Sequence, residues 1–313
     1  MIDLSAAVSQ MAVLLIVTAV GFVATKLDYL NEDVRTKLSM LINNITLPCM
    51  IVASAGGLDA SALGGQIVLS LGLGALSFFI TLAAGFVLSL ILRSPTPKRI
   101  VYVFMSVCSN LGFLGIPVIA ALYGDQTVLF SSMFIMGQSV FFYSIGLGML
   151  AGAKGGSLKE RLAGTAKSIA NPSMFASIIA LALVFANVQL PIFLEDSLNT
   201  LGGLTAPLAM MMVGVIVAHA QLREVVTEWR IYPFILLRHL LLPLGVHFAL
   251  APFVADSTIL GLVTIMLAMP TGSLAPMFAG MYGHDAKLTA KGTILSTLAS
   301  FAMIPIIVAL VLS

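Results

Sequence analysis

Two short polar stretches interrupt long apolar runs, and their residue types suit the binding of a small anion. The stretch SNLGFLGIPVIAALY at 109–123 contains Asn110, Gly112, Gly115 and Pro117, and PTGSLAPMFAGMY at 270–282 contains Thr271, Gly272, Ser273 and Pro276. Proline removes a backbone donor and glycine loosens a helix, so each run should break near its middle. A break exposes helix N–H groups that attract anions. Paired breaks of this kind are the best sequence-level sign of a transporter's binding site.

Three further amides lie inside apolar runs, where a polar side chain needs a partner. Asn43 and Asn44 come shortly before Pro48, and Gln138 lies in a later run. Each could hydrogen-bond to a neighbouring helix or contact a ligand. We include Asn43 and Asn44 in the predicted binding set and Gln138 among the candidates for coupling.

One basic residue also lies deep in an apolar run. Arg238 follows Arg230 by eight residues, about 12 Å along a helix, which is too deep for an interfacial residue. It could supply the counter-charge to an anion or act in gating, or instead cap a backbone carbonyl freed by a break. His239 and His247 could carry a coupling proton near neutral pH, although such histidines more often pack in the core.

Acidic residues are confined to the connections and the ends of apolar runs. The sequence has thirteen Asp and Glu residues, and none lies at membrane depth. A cation carrier or a carboxylate proton relay normally keeps one there. The pattern favours an anionic or neutral substrate and ranks sodium coupling below proton coupling or uniport.

Catalytic and metal-binding patterns are missing from the sequence. It has no His-Glu-x-x-His or Gly-x-Ser-x-Gly motif, and its two cysteines lack metal-ligand spacing. An intramembrane enzyme would need a nucleophile with a base, or a metal set. We expect no enzyme, metal or cofactor, and a net charge of +2 gives no reason to expect nucleic acid as a partner.

The composition requires a lipid bilayer around these residues. Of 313 residues, 59% are hydrophobic and 9% charged, whereas soluble domains carry about 25% charged residues. Because a spanning helix needs about 20 apolar residues, we predict ten spans, with the fourth and ninth broken. They are 6–26, 34–56, 63–92, 99–123, 126–152, 171–188, 197–220, 230–252, 257–283 and 287–312.

Basic residues predict the orientation. Apart from Arg238, all Lys and Arg residues fall in the odd-numbered connections, including the longest one, 153–170. The positive-inside rule makes that side cytoplasmic. We therefore expect both termini on the extracytoplasmic side.

The two halves of the chain match at one offset. Pro48 pairs with Pro207, Pro117 with Pro276, and Tyr123-Gly124 with Tyr282-Gly283, each separated by 159 residues. Because five spans per half is an odd number, the second half must be inverted. We predict two repeats, 1–156 and 157–313, whose broken helices 4 and 9 cross.

The run NLGFLGIP at 110–117, the following Tyr-Gly and the ten predicted spans resemble the auxin efflux carrier family. That family includes bacterial carriers labelled malonate transporters and is distantly similar to the bile acid:sodium symporters. The resemblance implies an elevator-type carrier in which spans 1, 2, 6 and 7 form a scaffold and spans 3–5 and 8–10 a transport unit. Asn110, Pro117 and Pro276 match the crossover positions that line its substrate site, whereas Met269 replaces the repeat partner of Asn110. A homodimer is also compatible with the family.

The expected function is secondary active transport of a small organic anion, such as the mono- or dicarboxylate malonate, across a bacterial inner membrane. Coupling to H⁺ ranks above coupling to Na⁺. Two alternatives stay open: a sodium-coupled symporter of a larger amphipathic acid, and a channel, in which charged rings or repeated subunits would be expected.

Overall fold

A computed structural model describes residues 4–56, 60–152, 171–219 and 225–312. Every regular element among these residues is a helix. The predicted connection 153–170 and Arg223 lie outside the described residues. The helices are α1 (Leu4–Lys26), α2 (Glu32–Ala53), α3 (Ala60–Ile91), α4 (Thr96–Val107), α5 (Leu111–Tyr123), α6 (Thr127–Ala151), α7 (Pro172–Phe185), α8 (Ile192–His219), α9 (Ile231–Leu250), α10 (Ser257–Ala268), α11 (Ala275–Met281) and α12 (Ala286–Val311).

Several helices are long and apolar enough to cross a membrane. Seven meet both criteria within the described residues: α1, α2, α3, α6, α8, α9 and α12. The shorter apolar helices α5, α7 and α10 do not reach that length on their own. The described part of the chain is therefore all-helical and multi-spanning, and the count of ten spans stays a prediction.

The fourth and ninth apolar runs are both interrupted where the sequence predicts. The first interruption separates α4, which ends at Val107, from α5, which begins at Leu111. The second separates α10, which ends at Ala268, from α11, which begins at Ala275. The segments between them, 108–110 and 269–274, form the centre of the candidate site.

Wide, π-type helical turns precede three prolines. They cover Ile42–Thr46, Leu111–Gly115 and Leu236–Leu241, and each ends two residues before Pro48, Pro117 or Pro243. Proline lacks an N–H and its ring clashes with the carbonyl four residues earlier, so the chain widens there. These turns contain most of the polar residues that the sequence analysis singles out on α2, α5 and α9.

Glycines bring two pairs of helices into backbone contact. A Cβ at Gly74 of α3 would collide with the carbonyl oxygen of Phe134 on α6, and one at Gly137 would collide with that of Leu71. Gly21 of α1 and Gly214 of α8 make an equivalent contact. Small residues allow this approach because no side chain separates the backbones.

The helices pack mainly within two groups. In one, α1 packs on α8, and α2 packs on both α7 and α8. In the other, α3 packs on α4 and α6, α9 on α10, and α11 on α12. Whether these groups move against each other stays a prediction, as does the boundary between the two repeats.

Candidate substrate site

The two interruptions meet and pair through their main chains. The N–H of Asn110 donates to the carbonyl of Pro270 at 2.8 Å, and the N–H of Gly272 donates to the carbonyl of Cys108 at 2.6 Å. Ser109 and Thr271 lie opposite each other in this antiparallel pairing. We call these two hydrogen bonds the backbone joint. It satisfies polar groups that the helix breaks would otherwise leave unpaired inside an apolar core.

Hydroxyls of α12 hold the second interruption in place. The N–H of Thr271 donates to Ser296 Oγ at 3.1 Å, and Thr293 Oγ1 donates to the carbonyl of Gly272 at 3.4 Å. Thr271 Oγ1 in turn donates to the carbonyl of Met105 at 3.4 Å. Thr271 is completely buried, and its hydrogen bonds fix the position of the second interruption beside α4 and α12.

Arg238 reaches the joint from α9. Its Nε and Nη2 donate to the carbonyl of Ser106 at 2.9 and 2.6 Å, and Nη1 donates to the carbonyl of Leu267 at 2.7 Å. Nη2 also donates to Ser109 Oγ at 3.0 Å. The guanidinium thus caps carbonyls freed by both breaks, which is one of the two roles that the sequence leaves open.

A cavity of about 380 Å³ lies beside the joint. Its wall is made by α2, α5, α6, α7 and the two interruptions, and among the described residues it contains no Lys, Arg, His, Asp or Glu. Its polar side chains are amides and hydroxyls: Asn43, Asn44, Ser109, Asn110, Ser132, Gln138, Ser139, Tyr143, Asn171, Ser173, Ser177 and Ser273. Phe113, Phe142 and Phe278 give the rest of the wall an aromatic character. Such a mixed surface suits a small organic molecule.

Asn110 is the polar group most clearly available to a ligand. Its side chain is only 6% exposed and lines the cavity, yet it makes no hydrogen bond to the described residues. Gln138 is similar, because its Nε2 donates to the carbonyl of Val107 at a long 3.5 Å and its Oε1 has no partner among the described residues. A buried amide without a partner costs free energy unless water or a ligand satisfies it.

The cavity extends from the joint to the N-terminus of α7. Asn171 caps this helix by accepting a hydrogen bond from the N–H of Met174 at 3.0 Å, and Ser173 follows Pro172 in the first turn. Ser177, one turn further along, also lines the cavity. The cavity therefore extends from the two interruptions to the first two turns of α7.

The predicted binding residues and the coupling candidates Gln138, His239 and His247 together divide into two sets. Those in the cavity wall are Asn43, Asn44, Asn110, Gly112, Gln138, Gly272 and Ser273. Those outside it are Gly115, Pro117, Thr271, Pro276, Arg238, His239 and His247. Several of the second set pack behind the wall; a Cβ at Gly115, for example, would come within 2.8 Å of Met266 Sδ. A direct role in binding stays a prediction for both sets.

Neither predicted coupling histidine touches the cavity. His239 is 1% exposed, and its ring lies beside the backbone of Met269 and the ring of Phe234. His247 lies on α9 with Nδ1 3.0 Å from Thr264 Oγ1 of α10. Both belong to the packing between α9 and its neighbours, and coupling through either stays a prediction.

Besides Gln138, α6 and α7 contribute polar cavity residues that are not among the residues predicted from sequence. On α6, Ser132, Ser139 and Tyr143 line the cavity and recur at helical spacing with Ile135 and Phe142. That spacing was a usable signal, because residues three, four and seven apart share a helix face. Asn171 and Ser173 carried a weaker signal, since an Asn-Pro-Ser start is typical of any capped helix.

The architecture is that of a polytopic membrane protein with a cavity of mixed polar and aromatic lining between its helices. A family model described as "Membrane transport protein" matches residues 6–308. The chain belongs to this family, which is the auxin efflux carrier family that the motif at 110–117 indicates. Its function class is transport, and it is not an enzyme.

Two curated relatives agree with that assignment. An uncharacterized transporter of Methanothermobacter thermautotrophicus is 24% identical over 302 residues, covering 93% of this chain and 94% of the relative. An uncharacterized transporter of Methanocaldococcus jannaschii is 26% identical over 304 residues, with 93% and 94% covered. The likeness extends over almost the whole length of both proteins.

Proposed function

We propose that the protein is a secondary carrier of a small organic anion, with mono- and dicarboxylates such as malonate as the leading candidates. The observation that carries the proposal is the uncharged, amide-lined cavity beside the backbone joint. Amide and hydroxyl groups can donate to a carboxylate from several directions, as Asn110 and Ser273 would from the two interruptions.

The proposed transport mechanism is alternating access by an elevator movement. The separate packing of α1, α2, α7 and α8 supports their role as a scaffold, and the packing among α3–α6 and α9–α12 supports a transport unit. The cavity lies between α2 and α7 on one side and α5 and α6 on the other. A ligand there would cross the membrane when the second group slides along the first.

The proposed topology has ten spans in two inverted repeats with α4–α5 and α10–α11 crossing at the joint. Under the positive-inside rule, connection 153–170 is cytoplasmic and both termini are extracytoplasmic, in a plasma membrane of the bacterial type. Because Asn171 follows that connection and lines the cavity, this conformation would be open to the cytoplasm. Coupling to H⁺, with Na⁺ as the less favoured ion, and a homodimeric state belong to the same proposal.

Counterflow tests the proposal. Purified protein in liposomes loaded with unlabelled malonate should take up external labelled malonate in a saturable way, alongside a panel of other mono- and dicarboxylates. Asn110→Ala should reduce the exchange, whereas Asn199→Ala, at an exposed amide on α8 outside the cavity wall, should not. No exchange by wild type for any acid in the panel would contradict the organic-anion proposal, and linear, non-saturating flux would indicate a channel.

A further inference from the structure

We propose that Arg238 is a resident cation that occupies the place of a transported coupling cation, so that this carrier works without Na⁺. The inference rests on the proposed transport function. It concerns a cluster outside the cavity wall, where Arg238 of α9 contacts the ends of α4 and α10.

The guanidinium makes four hydrogen bonds, all to oxygen atoms. Its hydrogen bonds go to the carbonyls of Ser106 and Leu267 and to the hydroxyl of Ser109, at 2.6 to 3.0 Å. The residue is 0% exposed, and no carboxylate forms an ion pair with it among the described residues. Backbone dipoles and one hydroxyl therefore compensate its charge.

Those carbonyls belong to the C-terminal ends of two helices. Ser106 lies in the last turn of α4, which ends at Val107, and Leu267 lies in the last turn of α10, which ends at Ala268. Both helix dipoles present their negative ends to the same point. In carriers with broken helices, such carbonyl ends coordinate the coupling Na⁺ or H⁺. Here the same kind of oxygen cluster is already occupied by a side chain.

A second cation would be repelled from this cluster. Arg238 donates to both helix ends at once, so its positive charge already lies between them. The guanidinium cannot lose its proton under ordinary conditions. The charge that stabilises the joint is therefore fixed within the protein and does not cross the membrane with each cycle.

The first test measures ion dependence. Wild-type exchange in liposomes should be the same in choline and in sodium buffer. Arg238→Ala should lower the initial rate at least about tenfold, the factor that corresponds to losing one hydrogen bond to a charged group. Added guanidinium should restore part of that exchange. Sodium-dependent wild-type exchange, or a folded Arg238→Ala protein that guanidinium does not rescue, would overturn the proposal.

Arg230 provides the matched control. It directly precedes α9 and is partly exposed. Its Nε donates to the carbonyl of Leu92 at 3.2 Å, and its Nη1 lies 3.4 Å from Glu228 Oε1. Arg230→Ala should show neither the large loss nor the rescue. If guanidinium raised exchange equally in both variants, the effect would be non-specific and the proposal would fail.

A second test does not depend on the substrate. The melting temperature of detergent-purified Arg238→Ala should rise with low concentrations of guanidinium, whereas those of wild type and Arg230→Ala should fall or stay constant. This result would support the resident cation even if no acid in the panel were transported. Should Arg238→Ala not fold, Arg238→Lys takes its place: it keeps the charge, so its exchange should remain independent of Na⁺, and a Na⁺ requirement in that variant would contradict the proposal.

Discussion

Asn110 has a backbone that is held in place and a side chain that is left available. Its backbone is engaged in the joint through the bond to Pro270, while its side chain faces the cavity without a partner among the described residues. The main chain thus fixes the position of an amide whose hydrogen-bonding groups are left for a ligand. A residue fixed in this way is pre-organised for binding.

A charge change at Asn110 should discriminate between anionic and neutral substrates. Asn110→Asp keeps the shape of the side chain but adds a carboxylate to a wall without charged residues. Two like charges about 4 Å apart repel by about 4 kcal/mol at an effective dielectric constant of about 20, so malonate exchange should fall at least a hundredfold. The measurement is the concentration dependence of counterflow, with Asn199→Asp as the control. Unchanged half-saturation for malonate would show that the anion binds elsewhere.

At the scale of the helix, the prolines explain why the polar residues face where they do. The wide turn Leu111–Gly115 precedes Pro117, and it carries Gly112 into the cavity wall. Pro117 itself is buried and does not line the cavity. Its effect on binding is therefore indirect, through the path of the backbone.

Replacing that proline should separate folding from transport. Pro117→Ala restores a backbone donor and allows the turn to tighten, which would displace Gly112 and Asn110. We expect a melting temperature equal to or above that of wild type together with at least about tenfold slower exchange, because a small displacement of binding groups is costly. Pro305→Ala, in the interior of α12, is the control and should exchange at the wild-type rate. Wild-type exchange by Pro117→Ala would show that the wide turn is dispensable.

Two glycines on α3 allow a sharp test of helix packing. Gly74 contacts the backbone of α6, whereas a Cβ at Gly72 would meet nothing within 4 Å. Gly74→Ala should destabilise the protein by about 1–3 kcal/mol or more, because backbone atoms cannot move aside as a flexible side chain can. Gly72→Ala should leave the melting temperature unchanged or slightly raise it, since alanine favours a helix. Equal melting temperatures for the two variants would contradict the close α3–α6 contact.

At the scale of the whole molecule, hydropathy and proline spacing predicted the all-helical membrane class and the position of both interruptions. They did not predict which side of each helix would face the cavity. Arg238 and Asn110 both lie at depth, yet one turns to backbone carbonyls and the other to the cavity. That difference depends on how α9 packs against α10 and the joint, which a single sequence does not encode in a local pattern. Ser173 was missed for the same reason, since only tertiary packing brings α7 beside α6.

The open side of the cavity can be tested by labelling. In a background with Cys49 and Cys108 replaced by alanine, Ser173→Cys should react with a membrane-impermeant thiol reagent from the cytoplasmic side, and substrate should slow the reaction. Thr200→Cys, in the third turn of α8 and exposed, should react from the opposite side. Labelling of both positions from one side would contradict the proposed orientation.

The backbone joint has a consequence for how this protein can change over evolutionary time. Its two hydrogen bonds involve only main-chain atoms of Cys108, Asn110, Pro270 and Gly272. Any residue that keeps its N–H can therefore occupy the donor positions 110 and 272 as far as these bonds are concerned, and proline is the one residue type that removes the donor. The main chain forms the joint, whereas side chains line the cavity. A cavity side chain can therefore be replaced without breaking the two hydrogen bonds of the joint. A lineage with such a centre can acquire new substrates by ordinary point mutation.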